Sequence, residues 1–227
     1  MESWRVMKKR DYVILVLSCD KYEPCWMPFF KLLDKYWENH PKAYLVTESK
    51  KCKYCDTINV NSEVWSQRFL GALREIKDDK VLVMLDDFFI RSKVDSERID
   101  EIEFTDDIIC YNFEINYREP ALRLNEWDIQ KNNQVYLNSC QPTLWNRKHL
   151  MERLYCSLNP QEWESQCIDS RYIHFINNKD FIIDIGYRHQ DLSIGWGITR
   201  GKVTRECLEF LKSEGLDDEI KHFDTLL

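Results

Sequence analysis

Two adjacent carboxylates, Asp86 and Asp87, directly follow the apolar run "KVLVML" at residues 80–85. Carboxylates are seldom buried without a partner, and two of them about 4 Å apart repel by roughly 4 kcal/mol at an effective dielectric near 20. A divalent cation would remove this repulsion and could bridge a diphosphate. The alternative is a strand-end pair that caps the following loop through its own hydrogen bonds. The residue types alone leave both interpretations open.

Two other polar side chains have types suited to phosphate binding or to acid–base catalysis. Arg68, in "VWSQRFL", would lie on the helix that leads to the strand before Asp86, where it could pair with an aspartate or grip a phosphate. An exposed helical arginine is the alternative. In "NPQEWES", helix capping by Asn159 accounts for Glu162. Glu164 has no capping role, so it is either a general base that faces a cleft or a solvated helix residue.

Cysteine and glycine motifs give weaker indications. Cys52 and Cys55 form a single "CKYC", whereas four-ligand zinc sites normally show a second pair. The total of nine cysteines is odd, so they cannot all pair internally, and reduced thiols fit a cytoplasmic protein. The stretch "GWGITRG" at 195–201 lacks the spacing of a phosphate loop and is at most a candidate lid.

The elements that would position these residues alternate in type over the first half of the chain. Strands are predicted at 12–17, 43–47, 57–60 and 80–85. One helix is predicted at 23–37, with Pro24 in its first turn. A second helix is predicted at 62–76, with Asn61 or Ser62 as its N-terminal cap. This order predicts an α/β fold with a mostly parallel sheet and helices on both faces. Ligands bind such sheets beyond the carboxyl ends of the strands. Polar residues at three strand ends would share that rim: Ser18 to Asp20, Thr47 to Glu48, and Asp86 to Asp87.

The second half is less regular. Strands are predicted at 107–117, 134–140 and 181–188, and helices at 143–155, 159–166 and 205–215, the last ended by Gly215. The chain contains no internal repeat, low-complexity segment or linker, so residues 1–227 are interpreted as one domain.

Composition excludes several classes of function. The net charge of -7 argues against binding of a nucleic-acid backbone. No apolar run approaches the roughly 20 residues of a membrane span, and "YVILVL" is too short for a signal peptide. These features predict a cytoplasmic protein and leave open peripheral contact with the inner face of a membrane.

The order of several motifs resembles a family. The runs "VILVLSCDKYEPCWMPFFKLLDKYW", "WSQRFLGALREI", "VLVMLDDFFI", "QPTLWNRKHL" and "PQEWES" are similar to bacterial glycosyltransferase-like proteins of capsule, lipopolysaccharide and other surface-polysaccharide pathways. The resemblance spans most of residues 12–166. It implies a GT-A-type, Rossmann-like domain with a nucleotide-binding half at about 11–92, an acceptor-binding half at about 104–202 and a helical tail at 203–227. It also implies a nucleotide-sugar donor and a glycan or lipid-linked acceptor.

The resemblance also implies roles for six residues. Ser18 and Asp20 would lie near the nucleoside, and Arg68 would help hold the nucleotide. Asp86 and Asp87 would take the place of the aspartate motif that binds Mn²⁺ or Mg²⁺ and the diphosphate. Because neighbouring side chains of an extended chain point to opposite faces, Asp87 is assigned to the metal or diphosphate and Asp86 to the ribose, Arg68 or backbone donors. Glu164 would deprotonate the acceptor hydroxyl for an inverting transfer.

One departure from the family pattern concerns the metal. The usual motif is Asp-any-Asp, which this chain does not contain; Leu85 and Phe88 flank the aspartate pair. One metal ligand is therefore expected instead of two. A nucleotidyltransferase is the alternative enzyme, although only Lys21 supplies a positive charge after the first strand. A non-catalytic nucleotide- or glycan-binding module is the third interpretation.

Overall fold

The computed structural model describes residues 10–154, 157, 159–185, 197–199, 201–221 and 223–226. The strands within them are β1 (Tyr12–Leu17), β2 (Ala43–Thr47), β3 (Asp56–Asn59), β4 (Lys80–Leu85), β5 (Ile108–Ile115), β6 (Leu122–Arg123), β7 (Trp127–Ile129), β8 (Thr143–Asn146), β9 (Ile173–Asn177), β10 (Ile198–Thr199), β11 (Lys202–Thr204) and β12 (Asp224–Leu226). The helices are α1 (Glu23–Tyr36), α2 (Trp65–Glu75), α3 (Ser96–Asp100), α4 (Arg147–Met151), α5 (Pro160–Glu164) and α6 (Arg205–Ser213), and a 3-10 turn, Asp20–Tyr22, leads into α1.

The central sheet has the order β3-β2-β1-β4-β8-β5-β9-β7-β6. Its first four strands are parallel, as predicted, and they have the 3-2-1-4 order of doubly wound nucleotide-binding folds. Strand β8 runs antiparallel between β4 and β5, so the second half of the sheet is mixed. The predicted α/β class, a central sheet flanked by helices, is confirmed. Strands β10, β11 and β12 form a separate small sheet.

Strand β1 is buried on both faces because helices cover both sides of the sheet. Alternate residues of the strand point in opposite directions. Ile14 and Val16 pack in one core with α1 and α6, while Val13 and Leu15 pack in a second core with α2 and α5. This double burial explains the uninterrupted apolar run of the strand.

Several predicted elements are confirmed. These are the strands β1 to β5 and the helices α1, α2 and α6. The predicted helix start at Asn159 is also confirmed, since its side chain accepts a hydrogen bond from the N–H of Glu162 at 2.9 Å. Gly215 follows α6 with a φ of 66°, the left-handed conformation that glycine adopts most easily.

Two predictions between residues 134 and 155 are wrong. Residues 143–146 form β8 instead of a helix, because Leu144 and Trp145 fill the two opposite cores, and only α4 is helical after the Asn146 cap. Residues 134–140 form no strand beyond a single bridge from Gln134, since Tyr136 has a φ of 62°, which interrupts an extended chain.

Two smaller predictions also fail. Residues 181–185 of the strand predicted at 181–188 are not a strand: the carbonyl groups of Ile182 and Asp184 accept hydrogen bonds from the loop at 91–95. Residues 186–188 lie outside the described residues, as do residues 195, 196 and 200 of the candidate lid at 195–201. Helix α2 begins at Trp65 without a side-chain cap, so the predicted cap at Asn61 or Ser62 is wrong.

A cluster of four aromatic side chains joins α2 and α5 to the antiparallel strand β8. The ring of Trp163 lies 5.6 Å from that of Trp65, 6.0 Å from that of Phe69 and 5.9 Å from that of Trp145. Trp163 is fully buried, and its indole N–H donates to the carbonyl of Arg153 at 3.0 Å. The short helix α5 therefore has a fixed position through its central residue.

Trp163→Ala tests this cluster. The substitution leaves a cavity and removes the hydrogen bond to the Arg153 carbonyl, so we expect the free energy of unfolding to fall by about 3–5 kcal/mol. Phe181→Ala is the control, because Phe181 is 42% exposed and its loss should cost less than about 0.5 kcal/mol. Denaturant unfolding followed by fluorescence and circular dichroism measures both. Equal small losses would contradict the proposed anchoring of α5.

Candidate active site

A cleft of about 660 Å³ lies beyond the carboxyl ends of β1 and β4. Five of the six residues predicted to form a site line it: Ser18, Arg68, Asp86, Asp87 and Glu164. The first four come from the parallel strands and α2, and Glu164 comes from the end of α5. The fold therefore brings together side chains that are up to 146 positions apart in the sequence (164 − 18).

Asp86 is buried and engaged by other side chains. The hydroxyl of Ser18 donates to Asp86 Oδ2, and the indole N–H of Trp26 donates to Ser18 Oγ at 2.7 Å. Burial and the neighbouring Asp87 raise the pKa of Asp86 well above its usual range, while hydrogen bonds from Ser18 and Trp26 oppose this shift. Asp86 thus holds the ends of β1 and β4 and the first turns of α1 together.

Asp87 lies in the same cleft but is not engaged in the same way. Strand β4 ends at Leu85, and the pair forms a turn, in which the N–H of Phe88 donates to the carbonyl of Leu85 at 3.2 Å. Oδ1 of Asp87 is buried and has no hydrogen-bond partner among the described residues. Burial raises the pKa of Asp87 to about 7. A free carboxylate oxygen in this position is available to a cation or to a hydrogen-bond donor.

Gly197 fits against the backbone of this turn. A Cβ added at Gly197 would lie 2.9 Å from the carbonyl oxygen of Asp87, closer than real Cβ contacts allow. The next residue, Ile198, lines the cleft. The absence of a side chain at Gly197 is therefore what lets the small sheet close against the aspartate turn.

Arg68 pairs with a different carboxylate from those expected. Its Nη1 lies 3.2 Å from Oε1 of Glu48 and donates to the carbonyl of Ser62 at 2.6 Å, so it does not pair with Asp86. The side chain is 8% exposed, and its Nε is buried without a hydrogen-bond partner in the described part of the chain. One donor of the guanidinium thus remains unused at the wall of the cleft.

Asp20 is not among the residues that line the cleft. Its carboxylate accepts hydrogen bonds from the backbone N–H groups of Ser49 and Lys50, both at 3.1 Å, and from the Ser49 hydroxyl. Desolvation alone would raise the pKa of Asp20, but the hydrogen bonds from Ser49 and Lys50 together outweigh it and lower that pKa. Asp20 therefore holds the loop after β2 at the rim, and its contact with a nucleoside stays a prediction.

Glu164 faces the cleft from the end of α5. Its Oε1 accepts a hydrogen bond from the N–H of Cys140 at 2.7 Å. Burial raises the pKa of Glu164 to about 7, the Cys140 hydrogen bond opposes the shift, and the charge of Glu114 adds to it. A carboxyl group with a pKa near neutrality can take up and release a proton under ordinary conditions.

A second cleft of about 330 Å³ shares Glu164 and Gln141 with the first. Its other polar and aromatic lining includes Asn112, Glu114, Asn116, Tyr117, Arg118, Gln130, Tyr136 and Ser139. The guanidinium of Arg118 lies over both tyrosine rings, 5.3 Å from Tyr117 and 4.8 Å from Tyr136. Amide groups and tyrosine faces are suited to a neutral, hydroxyl-rich ligand.

Sequence patterns did not identify several lining residues. Tyr22, Trp65, Cys140 and Gln141 line the first cleft together with Gln161. Trp65 is 6% exposed and belongs mostly to the core. Cys140 ends the segment wrongly predicted to be a strand, and Gln141 directly follows it. The aromatic side chain of Tyr22, shortly after the end of β1, is the sequence feature that could have identified one of these lining residues.

The carboxylates of the first cleft fit a cation that a substrate helps to hold. Asp87 offers one free oxygen, whereas Asp86 is engaged by Ser18. No group of three or more His, Cys, Asp or Glu side chains within the described ranges could hold a metal ion. Mg²⁺ commonly binds through one or two carboxylates, substrate phosphates and water. Asp87 therefore fits as one ligand of such a cation, and metal binding at Asp87 stays a prediction.

The ionisation of Glu164 can be tested through stability. Its folded pKa of about 7 lies above its ordinary value of 4.5, so the native state keeps a proton that the unfolded chain releases. The stability contributed by this group is present at low pH and is lost as the pH rises towards 7. Glu164→Gln removes this loss and keeps an acceptor for the Cys140 N–H. We expect the variant to gain about 2–3 kcal/mol relative to wild type between pH 5 and pH 8.

Urea unfolding at both pH values measures this difference. Glu162→Gln, on the exposed side of the same helix, is the matched control and should follow the wild-type pH dependence. Parallel curves for Glu164→Gln and wild type would show that Glu164 has an ordinary pKa.

Comparisons with known proteins show no close relative. No protein-family model matches the chain, and no curated protein matches it by sequence. Solved structures with a similar arrangement include the bifunctional IspDF from Campylobacter jejuni, at 14% identity and a TM-score of 0.39, over 65% of this chain and 43% of that one. They also include the glycosyltransferase GlyE from Streptococcus pneumoniae TIGR4, whose apo form has 13% identity and a TM-score of 0.40, over 64% of this chain and 36% of that one. The chain thus spans less than half the length of either protein.

Proposed function

We propose that this chain is a glycosyltransferase that transfers a sugar from a nucleotide-sugar to a hydroxyl group of a glycan or lipid-linked acceptor. We place this activity in surface-polysaccharide assembly on the cytoplasmic side of a membrane. None of the described helices is long and apolar enough to cross a membrane. The observation that carries the proposal is the position of Glu164 where two clefts meet. One cleft has carboxylates at strand ends, and the other has amides and tyrosines.

The first cleft would bind the donor. Its charged lining consists of three carboxyl groups, Asp86, Asp87 and Glu164, and one guanidinium, that of Arg68, which already pairs with Glu48. A diphosphate would meet net negative charge there, so a divalent cation at Asp87 is needed to compensate it. When bound, that cation would neutralise charge on the departing nucleoside diphosphate. The unused Nε of Arg68 would donate to a phosphate oxygen, and Trp65 and Tyr22 offer apolar surface to the nucleoside.

The second cleft would bind the acceptor. The side-chain amides of Asn116, Gln130 and Gln141 can each donate to and accept from sugar hydroxyl groups. Tyr117 is 56% exposed and Tyr136 is 42% exposed, so the ring surface that Arg118 does not cover would contact the apolar face of a sugar ring. Gln141 lines both clefts and would orient the reacting hydroxyl.

Glu164 would be the base. As a carboxylate it would take the proton of the acceptor hydroxyl, whose oxygen attacks the anomeric carbon while the bond to the diphosphate oxygen breaks. The nucleoside diphosphate leaves from the opposite face, so the configuration of the sugar inverts. The pKa of about 7 suits this role, because the group is a useful base and is largely ionised slightly above neutrality.

A nucleotidyltransferase is the second candidate, and the loop after β1 argues against it. Such an enzyme needs basic groups near the triphosphate, but Lys21 is exposed and is not among the cleft residues. The products separate the two reactions, since a nucleotidyltransferase releases pyrophosphate and a glycosyltransferase releases a nucleoside diphosphate. A non-catalytic binding module would release neither.

Calorimetric titration with UDP and other nucleoside diphosphates, with and without Mn²⁺, tests the donor site. We expect Mn²⁺ to strengthen binding, and Asp87→Asn to weaken the Mn²⁺-dependent binding at least tenfold because it removes the free carboxylate. Asp106→Asn, an exposed aspartate outside the clefts, is the control. Wild-type affinity in Asp87→Asn would remove Asp87 from the metal site. Absence of binding for every nucleoside diphosphate would overturn the donor proposal.

Turnover tests the base. With a panel of nucleotide-sugars and simple glycan acceptors, we expect nucleoside diphosphate release whose kcat rises with pH through about 7. Glu164→Gln should lower kcat by about 10²–10⁴ and leave nucleotide affinity unchanged, because the amide cannot take the proton. Glu162→Gln should behave as wild type. Pyrophosphate as the product would favour the alternative enzyme, and an unaffected kcat in Glu164→Gln would remove Glu164 as the base.

A further inference from the structure

The loop between β2 and β3 carries a cysteine pair that the proposed reaction does not use. Cys52 and Cys55 lie in this loop as "CKYC". The N–H of Cys52 donates to Thr57 Oγ1 at 2.8 Å, which fixes the start of the turn to β3. Both thiols are free and half-buried, so small reagents can reach them without unfolding of the chain.

The two cysteines lie three positions apart in one short turn before β3. The N–H of Tyr54, between them, donates to Cys52 Sγ at 3.4 Å. A thiolate at Cys52 would thus be stabilised by a backbone donor. The Cys-X-X-Cys spacing allows one thiol to resolve a mixed disulfide formed on the other.

The two cysteines are electrostatically different. The hydrogen bond from Cys55 lowers the pKa of Cys52 to about 6, against a burial penalty and with further help from backbone N–H groups and from Lys53. The same hydrogen bond and burial raise the pKa of Cys55. Cys52 is therefore suited to attack and Cys55 to resolve, as in other Cys-X-X-Cys pairs.

Other cysteines of the described chain lack this arrangement. Burial raises the thiol pKa of Cys25, Cys110 and Cys140, which are closed off from solvent. Cys167 is exposed, but its Sγ contacts an asparagine side chain, that of Asn133. A zinc site at Cys52 and Cys55 would need further ligands, and within the described ranges no third His, Cys, Asp or Glu completes one.

We propose that Cys52 and Cys55 form a reactive dithiol that exchanges with small-molecule disulfides and closes a reversible intramolecular disulfide. The Cys52 thiolate attacks one sulfur of the disulfide reagent, forms a mixed disulfide and releases one thiol. Cys55 then loses its proton and attacks Cys52 Sγ, which forms the protein disulfide and releases the second thiol. The reagent is reduced by two electrons and the protein is oxidised by two. In a reducing compartment such a bond would be transient.

The dithiol loop is also attached to the rim of the first cleft. Its beginning carries Glu48, which pairs with Arg68, and Ser49 and Lys50, whose N–H groups bind Asp20. The carbonyl of Lys50 accepts hydrogen bonds from Thr47 Oγ1 at 2.7 Å and Asn59 Nδ2 at 2.9 Å. A covalent restraint at Cys52 therefore acts on a segment that is otherwise held by non-covalent contacts, namely hydrogen bonds and ion pairs.

Incubation of the full-length folded protein with oxidised glutathione, followed by acid quenching, alkylation and peptide mass spectrometry, tests the proposal. We expect a Cys52–Cys55 disulfide, two hydrogens lighter than the reduced pair, which dithiothreitol reverses. Cys55→Ser should stop at glutathione on Cys52. Cys52→Ser should slow modification of Cys55 at least tenfold at pH 7. Cys167→Ser is the control and should leave formation of the disulfide unchanged.

Serine is close in size to cysteine, and circular dichroism verifies that each variant is folded. The same variants in urea are a second reference, where the rate difference between Cys52 and Cys55 should disappear. A Cys52–Cys55 pair that stays reduced while Cys167 takes up glutathione would overturn the proposal, and so would equal reactivity of Cys55 in wild type and Cys52→Ser. Neither result depends on nucleotide binding or sugar transfer.

Discussion

Two carboxyl groups forced together at the end of a buried strand are the constraint on which this site depends. Asp86 and Asp87 follow β4 in a tight turn, where burial disfavours both charges and each charge disfavours the other. The fold compensates the burial of Asp86, because the hydroxyl of Ser18 donates to Asp86 and the indole N–H of Trp26 donates to Ser18. It leaves Oδ1 of Asp87 buried and unpartnered within the described residues. A buried carboxyl group with a raised pKa and an oxygen without a hydrogen-bond partner is typical of a functional site.

The neighbouring elements are arranged around that turn. Strand β1 supplies Ser18 because it pairs with β4 in parallel, so both strands end at the same edge. Gly197 permits the small sheet to approach the carbonyl of Asp87. On the other side, Trp163 fixes α5 in the aromatic cluster, and Glu164, the next residue, is thereby directed into the cleft. The site is thus assembled from packing contacts that lie directly behind its polar residues.

Glu164 lies where the two clefts meet. Under the proposed function, a carboxyl group between these two clefts would take the proton of an acceptor hydroxyl bound in the second cleft while the donor occupies the first. Its environment also raises its pKa to about 7, mainly through burial. The loop that holds Asp20 and carries Glu48 continues into Cys52 and Cys55, so the proposed redox pair and the rim of the cleft share one segment.

The sequence by itself determined the parallel half of the sheet and the strand-end location of most site residues, because local apolar runs and helical periodicity encode those elements directly. The likeness of ordered motifs pointed to Glu164, which no local pattern distinguishes from a solvated helix residue. Only the tertiary structure decided that β8 is a strand, that Arg68 pairs with Glu48, and that Asp86 and Asp87 have different partners. Those outcomes depend on which chain segments lie opposite one another. Leu144 and Trp145 are compatible with a helix or a strand, and they form a strand because each packs in a different core on opposite faces of the sheet. Side-chain pairing between distant segments, and the second cleft with it, is a property of the assembled sheet and not of any stretch of sequence.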